Sequence, residues 1–303
     1  MTPRRLAAAL TGAIACLVLA ASAAQAAPLP VEYNGLTGYA HSSPTASPPG
    51  ANDWSCKPSS AHPRPVVLVH GTFIDMAGDW QALSPLLANN GYCVFALNYG
   101  SSNGSGAFGI DATGPIPASA EELSAFVARV LAATGASQVD LVGHSQGGMM
   151  PRYYLRFLGG AASVGALVGL APSNHGTTVN GFFTLAGLIP GAESFAGLCQ
   201  ACEEQAAGSP FLTKLNAGGE TVGGVRYTVI ESANDEVVTP YTSAFLTGRH
   251  VTNILLQAQC PLDQGEHLSM PYDHIADADV LDALDPRHPV AAACTPVLPV
   301  VGG

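Results

Sequence analysis

Asp140 to Leu155 reads DLVGHSQGGMMPRYYL. An apolar stretch ends, Ser145 follows with Gly143 and Gly147 two residues to each side, and a helix-like stretch comes next. Gly143-His144-Ser145-Gln146-Gly147 fits G-x-S-x-G, a pattern that works only on a sharp strand-to-helix turn. Such a turn strains the backbone, pushes the serine hydroxyl outward and sets a helix N-terminus behind it. A Cβ on either flanking residue would collide with the neighbouring strand or helix, which explains the glycines. In a chain with 34 glycines the pattern alone is weak. Its strand–turn–helix setting carries the reading.

Outward from this point, short apolar runs predict strands at Val66–Val69, Cys93–Leu97, Gln138–Val142, Val164–Leu170, Arg226–Ile230 and Val251–Leu256. Helices are predicted at Trp80–Ala88, Ala118–Ala133, Gly147–Phe157 and Ala276–Leu284. In the second, Ser119 is placed to cap, Glu122 stands three residues on, and Leu123, Phe126, Val127, Val130 and Leu131 form one apolar stripe. Alternating strands and helices predict the α/β class, a mostly parallel, doubly wound sheet with helices on both faces. An insert at about residues 177–224 separates the fourth and fifth strands. It reads either as a small cap or lid over a pocket or as two short helices packed on the body. Phe182, Phe183, Leu185, Leu188 and Ile189 are its candidate acyl-binding wall, or core.

Residues 27–64 are rich in Pro, Ser and Gly, as in HSSPTASPPGANDW, and read as an extended surface arm ahead of a domain at 65–303. Residues 1–26 read as an export signal: Arg4 and Arg5, then an apolar run from Leu6 to Ala21, then Ala24-Gln25-Ala26 as a cleavage site. A membrane anchor is the rival, and the AxA site and the Pro-rich sequence after it favour cleavage. The arginine pair is a poor match to a twin-arginine signal. Cleavage removes two arginines and no acid, taking the formal charge from −11 to −13. No long basic run remains, which excludes nucleic acid as the expected partner. At 48% hydrophobic and 11% charged, the chain has ample core for a globular domain and is not disordered. The expected mature protein is secreted, lacks a transmembrane segment and is a monomer.

Cys16 falls in the signal, leaving Cys56, Cys93, Cys199, Cys202, Cys260 and Cys294. Six cysteines in an exported chain imply disulfides, with fifteen possible connectivities. The pairing favoured is Cys56–Cys93, Cys199–Cys202 and Cys260–Cys294, the last fastening the C-terminal tail. Zinc and thioredoxin-like redox chemistry are the rivals for Cys199-Gln-Ala-Cys202, but neither a second metal-spaced pair nor a thioredoxin-like context accompanies it.

A serine needs a base, an acid to orient the base, and donors for the oxyanion. On this type of sheet the chain order is Ser, then Asp or Glu, then His. RYTVIESANDEVVTP offers Asp235 just past a strand, with Glu236 as its rival. CPLDQGEHLSMPYDHIADADVLDAL offers His267 before the last helix, with His274 as its rival; Asp273, Asp277 and Asp279 gather at that helix start, where carboxylates suit the dipole. The oxyanion donors expected are the backbone N–H groups of Gln146 and Thr72, the latter in VVLVHGTF, with Phe73 as runner-up. The Thr72 hydroxyl is positioned to add a bond. His70 and His175 read as structural.

Together these residues resemble the α/β-hydrolase superfamily, and more closely the secreted class 2 bacterial lipases. His70-Gly71-Thr72-Phe73, Gly143 to Gly148, Asp235 with its Val-Val, and His267 carry the resemblance over about Pro65 to Leu284. It looks most like the larger actinobacterial forms, which share the Pro-rich arm and cysteines. The small Bacillus-type members lack both, so the disulfides cannot be inferred from them. They also carry Met where this chain has Gln146; the donor there is a backbone N–H, so the change should matter little. The resemblance implies hydrolysis of carboxylic esters, plausibly triacylglycerols at a lipid–water interface, with no metal or organic cofactor. Polyester or cutin hydrolysis and acyl transfer use the same machinery and stay open. A non-catalytic binding protein on the same fold is the alternative of a different class.

Overall fold

The computed structural model describes residues 27–303 except 42, 193, 195 and 196, and of 41, 179, 180, 182 and 183 the backbone alone is described. The expected signal at residues 1–26, with Cys16, therefore lies outside the described residues, as do the side chains of Phe182 and Phe183. In chain order the elements are α1 (Gly35–His41), β1 (Val66–Val69), α2 (Met76–Asp79), α3 (Leu83–Asn89), β2 (Val94–Leu97), α4 (Ile116–Thr134) and β3 (Val139–His144). Then come α5 (Gln146–Met149), α6 (Pro151–Phe157), β4 (Val164–Leu170), α7 (Val179–Leu188), α8 (Gln200–Glu204) and α9 (Pro210–Asn216). The chain continues with β5 (Arg226–Glu231), β6 (Val251–Leu255), α10 (Leu256–Gln259) and α11 (His274–Leu284).

The six strands form one parallel sheet in the order β2-β1-β3-β4-β5-β6. Side chains alternate between its faces, as strand geometry requires. Val67, Val69, Phe95 and Leu141 pack with Leu123, Val127 and Val130 of α4 in one core. Val66, Leu68, Val94 and Val142 pack with Leu83 and Leu87 of α3 and Val280 and Leu284 of α11 in the other. Burial on both faces accounts for the near-continuous apolar strands. Strand order reverses between β1 and β3, and the crevice beyond their carboxyl ends is where such sheets build sites.

Local chemistry moved several helix boundaries from their expected places. α4 starts at Ile116, with Pro117 in its first turn. Ser119 is therefore inside the helix and does not cap it; its hydroxyl donates to the Pro115 carbonyl at 3.2 Å. Glu122 accepts instead from Gly100 N–H at 3.4 Å. The helix expected at Trp80–Ala88 starts three residues later, as α3 at Leu83; the four-residue α2, capped by Asp75 accepting from Gly78 N–H, lies ahead of the expected span. The helix expected at Gly147–Phe157 breaks at Met150, since Pro151 has no N–H to donate and its ring blocks the preceding turn.

The arm contains α1 and covers the β2 edge: Asn52 N–H donates to Val94 O at 2.9 Å, and its side-chain amide exchanges bonds with Ala96 at 2.9 and 3.0 Å. Pairing of this kind removes a bare sheet edge. Trp54 packs on Phe95 and Phe126 under the Arg129 guanidinium, 3.7 Å from its ring centre. Disulfides join Cys56 to Cys93, Cys199 to Cys202 and Cys260 to Cys294. No helix among the described residues is long and apolar enough to cross a membrane.

Candidate active site

Val69 of β1 and Gly143 of β3 stand in register, so the loop His70–Phe73 runs beside Ser145. Ser145 has φ 54° and ψ −121°, a conformation that costs a non-glycine residue of order 1–3 kcal/mol. A Cβ on Gly143 would meet the Gly147 carbonyl, and one on Gly147 would meet the Val69 and His70 carbonyls. The turn closes only with glycine at both places.

Three sequence-predicted residues come together across the sheet top. Ser145 Oγ lies 3.0 Å from His267 Nε2, and His267 Nδ1 lies 2.7 Å from Asp235 Oδ2. His267 is fully buried and Ser145 nearly so. Asp235 Oδ1 accepts from Val237 N–H at 2.8 Å and Val238 N–H at 2.7 Å, which fixes the carboxylate toward the ring. The rivals stand elsewhere. Glu236 faces Glu266, and burial followed by the Glu266 charge pushes its pKa up to about 8. His274 binds the C-terminal tail, with its ring nitrogens against the Gly303 carbonyl at 2.5 Å and the Ala293 carbonyl at 2.9 Å.

Of the two candidate donors in the loop after β1, Phe73 N–H donates to Asp111 O at 3.0 Å. The Thr72 hydroxyl oxygen accepts from Gln146 Nε2 and Gln205 Nε2, each at 3.0 Å. Gln146 is oriented by a second bond to the Ala112 carbonyl at 2.7 Å, and Gln205 by one to the Ala201 carbonyl at 3.2 Å. Two donors fill both acceptor sites of the hydroxyl and leave its proton to be donated.

Sequence reasoning missed Gln205, which arrives from the insert, and Glu266. The Glu266 carboxylate accepts from Leu268 N–H at 2.8 Å, Ser269 N–H at 3.1 Å and Val300 N–H at 2.6 Å, bracing the His267 loop and tail. Nothing in the sequence marks Gln205; the adjacency Glu266-His267 was visible but not its bracing role. His70 is buried, stacks on Tyr99 at 4.4 Å and has its pKa lowered by burial to about 4, so its ring is neutral. His175 pairs with Glu220 at 2.8 Å and the Ser243 carbonyl at 2.8 Å. At the helix start, Asp273 caps α11, but Asp277 is sealed in the core, where burial raises its pKa well above the usual value. Asp277 stands in the first turn of α11, as the sequence suggested.

An apolar cleft of about 510 Å³ abuts the site, within the range of small-ligand pockets. Phe73 and Leu268, the residues after Thr72 and His267, form its floor side; Tyr39 comes from the arm and Leu188 and Ile189 from the insert. Its rim exposes Phe108 at 72%, Leu36 at 55% and Leu188 at 41%.

Residues 63–276 match the profile of the lipase (class 2) family. Triacylglycerol lipases of Pseudarthrobacter phenanthrenivorans and Burkholderia plantarii are each 37% identical to this chain over 97 residues. That segment is 29% of this chain and 27% and 24% of theirs, so the match spans about a quarter of these curated relatives. The crystal structure of Aspergillus fumigatus lipase B superposes with a TM-score of 0.59 at 20% identity, over 84% of this chain and 60% of that one. Such a likeness speaks to the fold. With the family profile matched over more than two thirds of its length, this α/β-hydrolase chain belongs to the class 2 lipase family.

Proposed function

We propose that the protein is a secreted serine hydrolase of carboxylic esters, most simply a triacylglycerol lipase or carboxylesterase, with Ser145 as nucleophile, His267 as base and Asp235 as its orienting acid. The observation that carries this reading is the unbroken chain from Ser145 Oγ through His267 to Asp235, at 3.0 and 2.7 Å, beside an apolar cleft. Ser145 Oγ attacks the acyl carbon as His267 Nε2 takes its proton. The carbonyl electron pair moves to oxygen, where the Thr72 and Gln146 amides hold it, each such donor contributing about 2.7–4 kcal/mol. The Thr72 hydroxyl proton is a third donor. Collapse expels the alcohol with the proton from His267. Water then repeats the sequence on the acyl-enzyme, with Asp235 stabilising the imidazolium at each stage.

The names of the curated relatives favour triacylglycerols, and the apolar cleft fits an acyl chain. Leu36, Phe108 and Leu188 at the rim fit a surface that meets a lipid–water interface. In this reading the arm at 27–64 and the cap at 177–224 both contribute to the wall of the cleft. Residues 1–26 are a signal removed on export, and three disulfides fit an oxidising destination.

Hydrolysis of p-nitrophenyl esters from acetate to palmitate, with Ser145→Ala as control, tests the proposal. Activity on long chains that disappears in the variant supports a lipase. Activity on acetate and butyrate alone keeps Ser145 and makes the protein an esterase. No activity from folded, disulfide-intact protein overturns the hydrolase reading and turns attention to acyl transfer or binding alone.

A further inference from the structure

His144, immediately before Ser145, has no part in the acyl chemistry above, yet its ring lies 4.9 Å from that of His267. Its Nδ1 is 3.1 Å from both carboxylate oxygens of Asp79, and its Nε2 is 3.0 Å from the backbone carbonyl oxygen of His267. Both side chains are buried. A carbonyl has no proton to give, so Nε2 must carry one. A neutral ring would then turn the bare Nδ1 lone pair toward two carboxylate oxygens. That contact is repulsive unless a proton stands between them.

We infer that His144 and Asp79 form a second His–Asp pair holding one shared proton, and that through it His144 is a positioning residue for His267. The second half rests on His267 being the base. Asp79 Oδ2 also accepts from Gly71 N–H at 2.9 Å, so the carboxylate joins the loop after β1 to His144, which in turn holds the loop of His267 through its Nε2. Burial opposes charge on the His144 ring, but the Asp79 charge and its hydrogen bond outweigh it and raise the pKa above the usual imidazole value. The titratable groups around the pair are His70, His267, Asp235 and Asp75, with Tyr39, Tyr99 and Tyr272 facing Asp79. His70 is neutral, and the three tyrosines are kept protonated by burial.

The test is 15N NMR of the full disulfide-bonded chain labelled at histidine, between pH 6 and 9, with His144 assigned by the signal lost in His144→Gln. The expected result is protons on both His144 nitrogens at pH 7.5. A single protonated nitrogen there overturns the shared proton. In parallel, His144→Gln is expected to lower kcat on p-nitrophenyl butyrate about 10- to 100-fold, the scale of a misplaced catalytic group, with KM moving less than about twofold. Unchanged kcat overturns the positioning role. If that variant does not fold, Asp79→Asn gives the same two readouts, with the Nδ1 proton lost. A parent protein inactive on every ester overturns the hydrolase proposal instead, and the NMR result still decides the shared proton.

Discussion

Replacing Asp273 with Asn should remove a defined part of the protein's loss of stability with rising pH. Asp273 is fully buried, and its Oδ1 caps α11 by accepting from Ile275 N–H at 2.8 Å and Ala276 N–H at 3.2 Å. Burial, then the charge of Asp263, lifts its pKa from 3.8 to about 7. A carboxyl that binds its proton more tightly folded than unfolded stabilises the fold at acid pH. That contribution is complete below pH 3.8 and is lost as pH rises to about 7. At about 1.4 kcal/mol per pKa unit, the loss between pH 5 and pH 8 is on the order of 2–3 kcal/mol, several degrees in Tm. Asn keeps the capping oxygen and has no proton to lose. Glu236, with its pKa near 8, and Asp75 and Asp111, with theirs near 6, act in the same direction and remain in both proteins. Urea unfolding at pH 5 and pH 8, at one ionic strength, isolates the Asp273 share as the difference between parent and variant. If the two proteins lose equal stability between these pH values, the reasoning about this buried pair is wrong.

Three other expectations follow from the geometry. Thr72→Val should lower kcat about 100-fold with little change in KM, and Thr72→Ser should restore most of it; steady-state kinetics on p-nitrophenyl butyrate decides whether the hydroxyl donates to the oxyanion. Gly147→Ala drives a Cβ into the Val69 and His70 carbonyls and should cost at least about 1–3 kcal/mol, read as a fall in Tm. Removing the Cys56–Cys93 disulfide by the double Ser replacement frees a loop of 37 residues and should cost about 4 kcal/mol, read by urea unfolding.

The sheet was legible because strands buried on both faces leave dense apolar runs; Val66–Val69 and Val164–Leu170 keep their expected bounds. Helix ends were less so. A proline settles where α4 starts and where α5 stops, and competing caps such as Ser119 look equally good in sequence. Around Ser145 the features fixed by local backbone geometry could be read directly: the two glycines of the turn and the loop after β1 that runs beside it. The residues that hold them could not. Gln205 lies 133 positions from Thr72, and Asp79 lies 65 from His144. Contacts at such separation depend on how α2 and the insert fold back over the sheet, and no local pattern records that. The arm illustrates the same limit, for its composition suggests extended chain and yet Gly35–His41 is helical.

The measurement that bears most directly on the proposed chemistry is reaction of the folded protein with a fluorophosphonate, followed by peptide mass mapping. Phosphonylation requires a serine activated by a base, which a serine held only by its fold does not have. One adduct, on the peptide carrying Ser145, absent from Ser145→Ala and strongly slowed in His267→Ala, is the predicted result. An unlabelled protein, or an adduct on any other serine, would contradict the assignment of Ser145, His267 and Asp235 as the reacting centre.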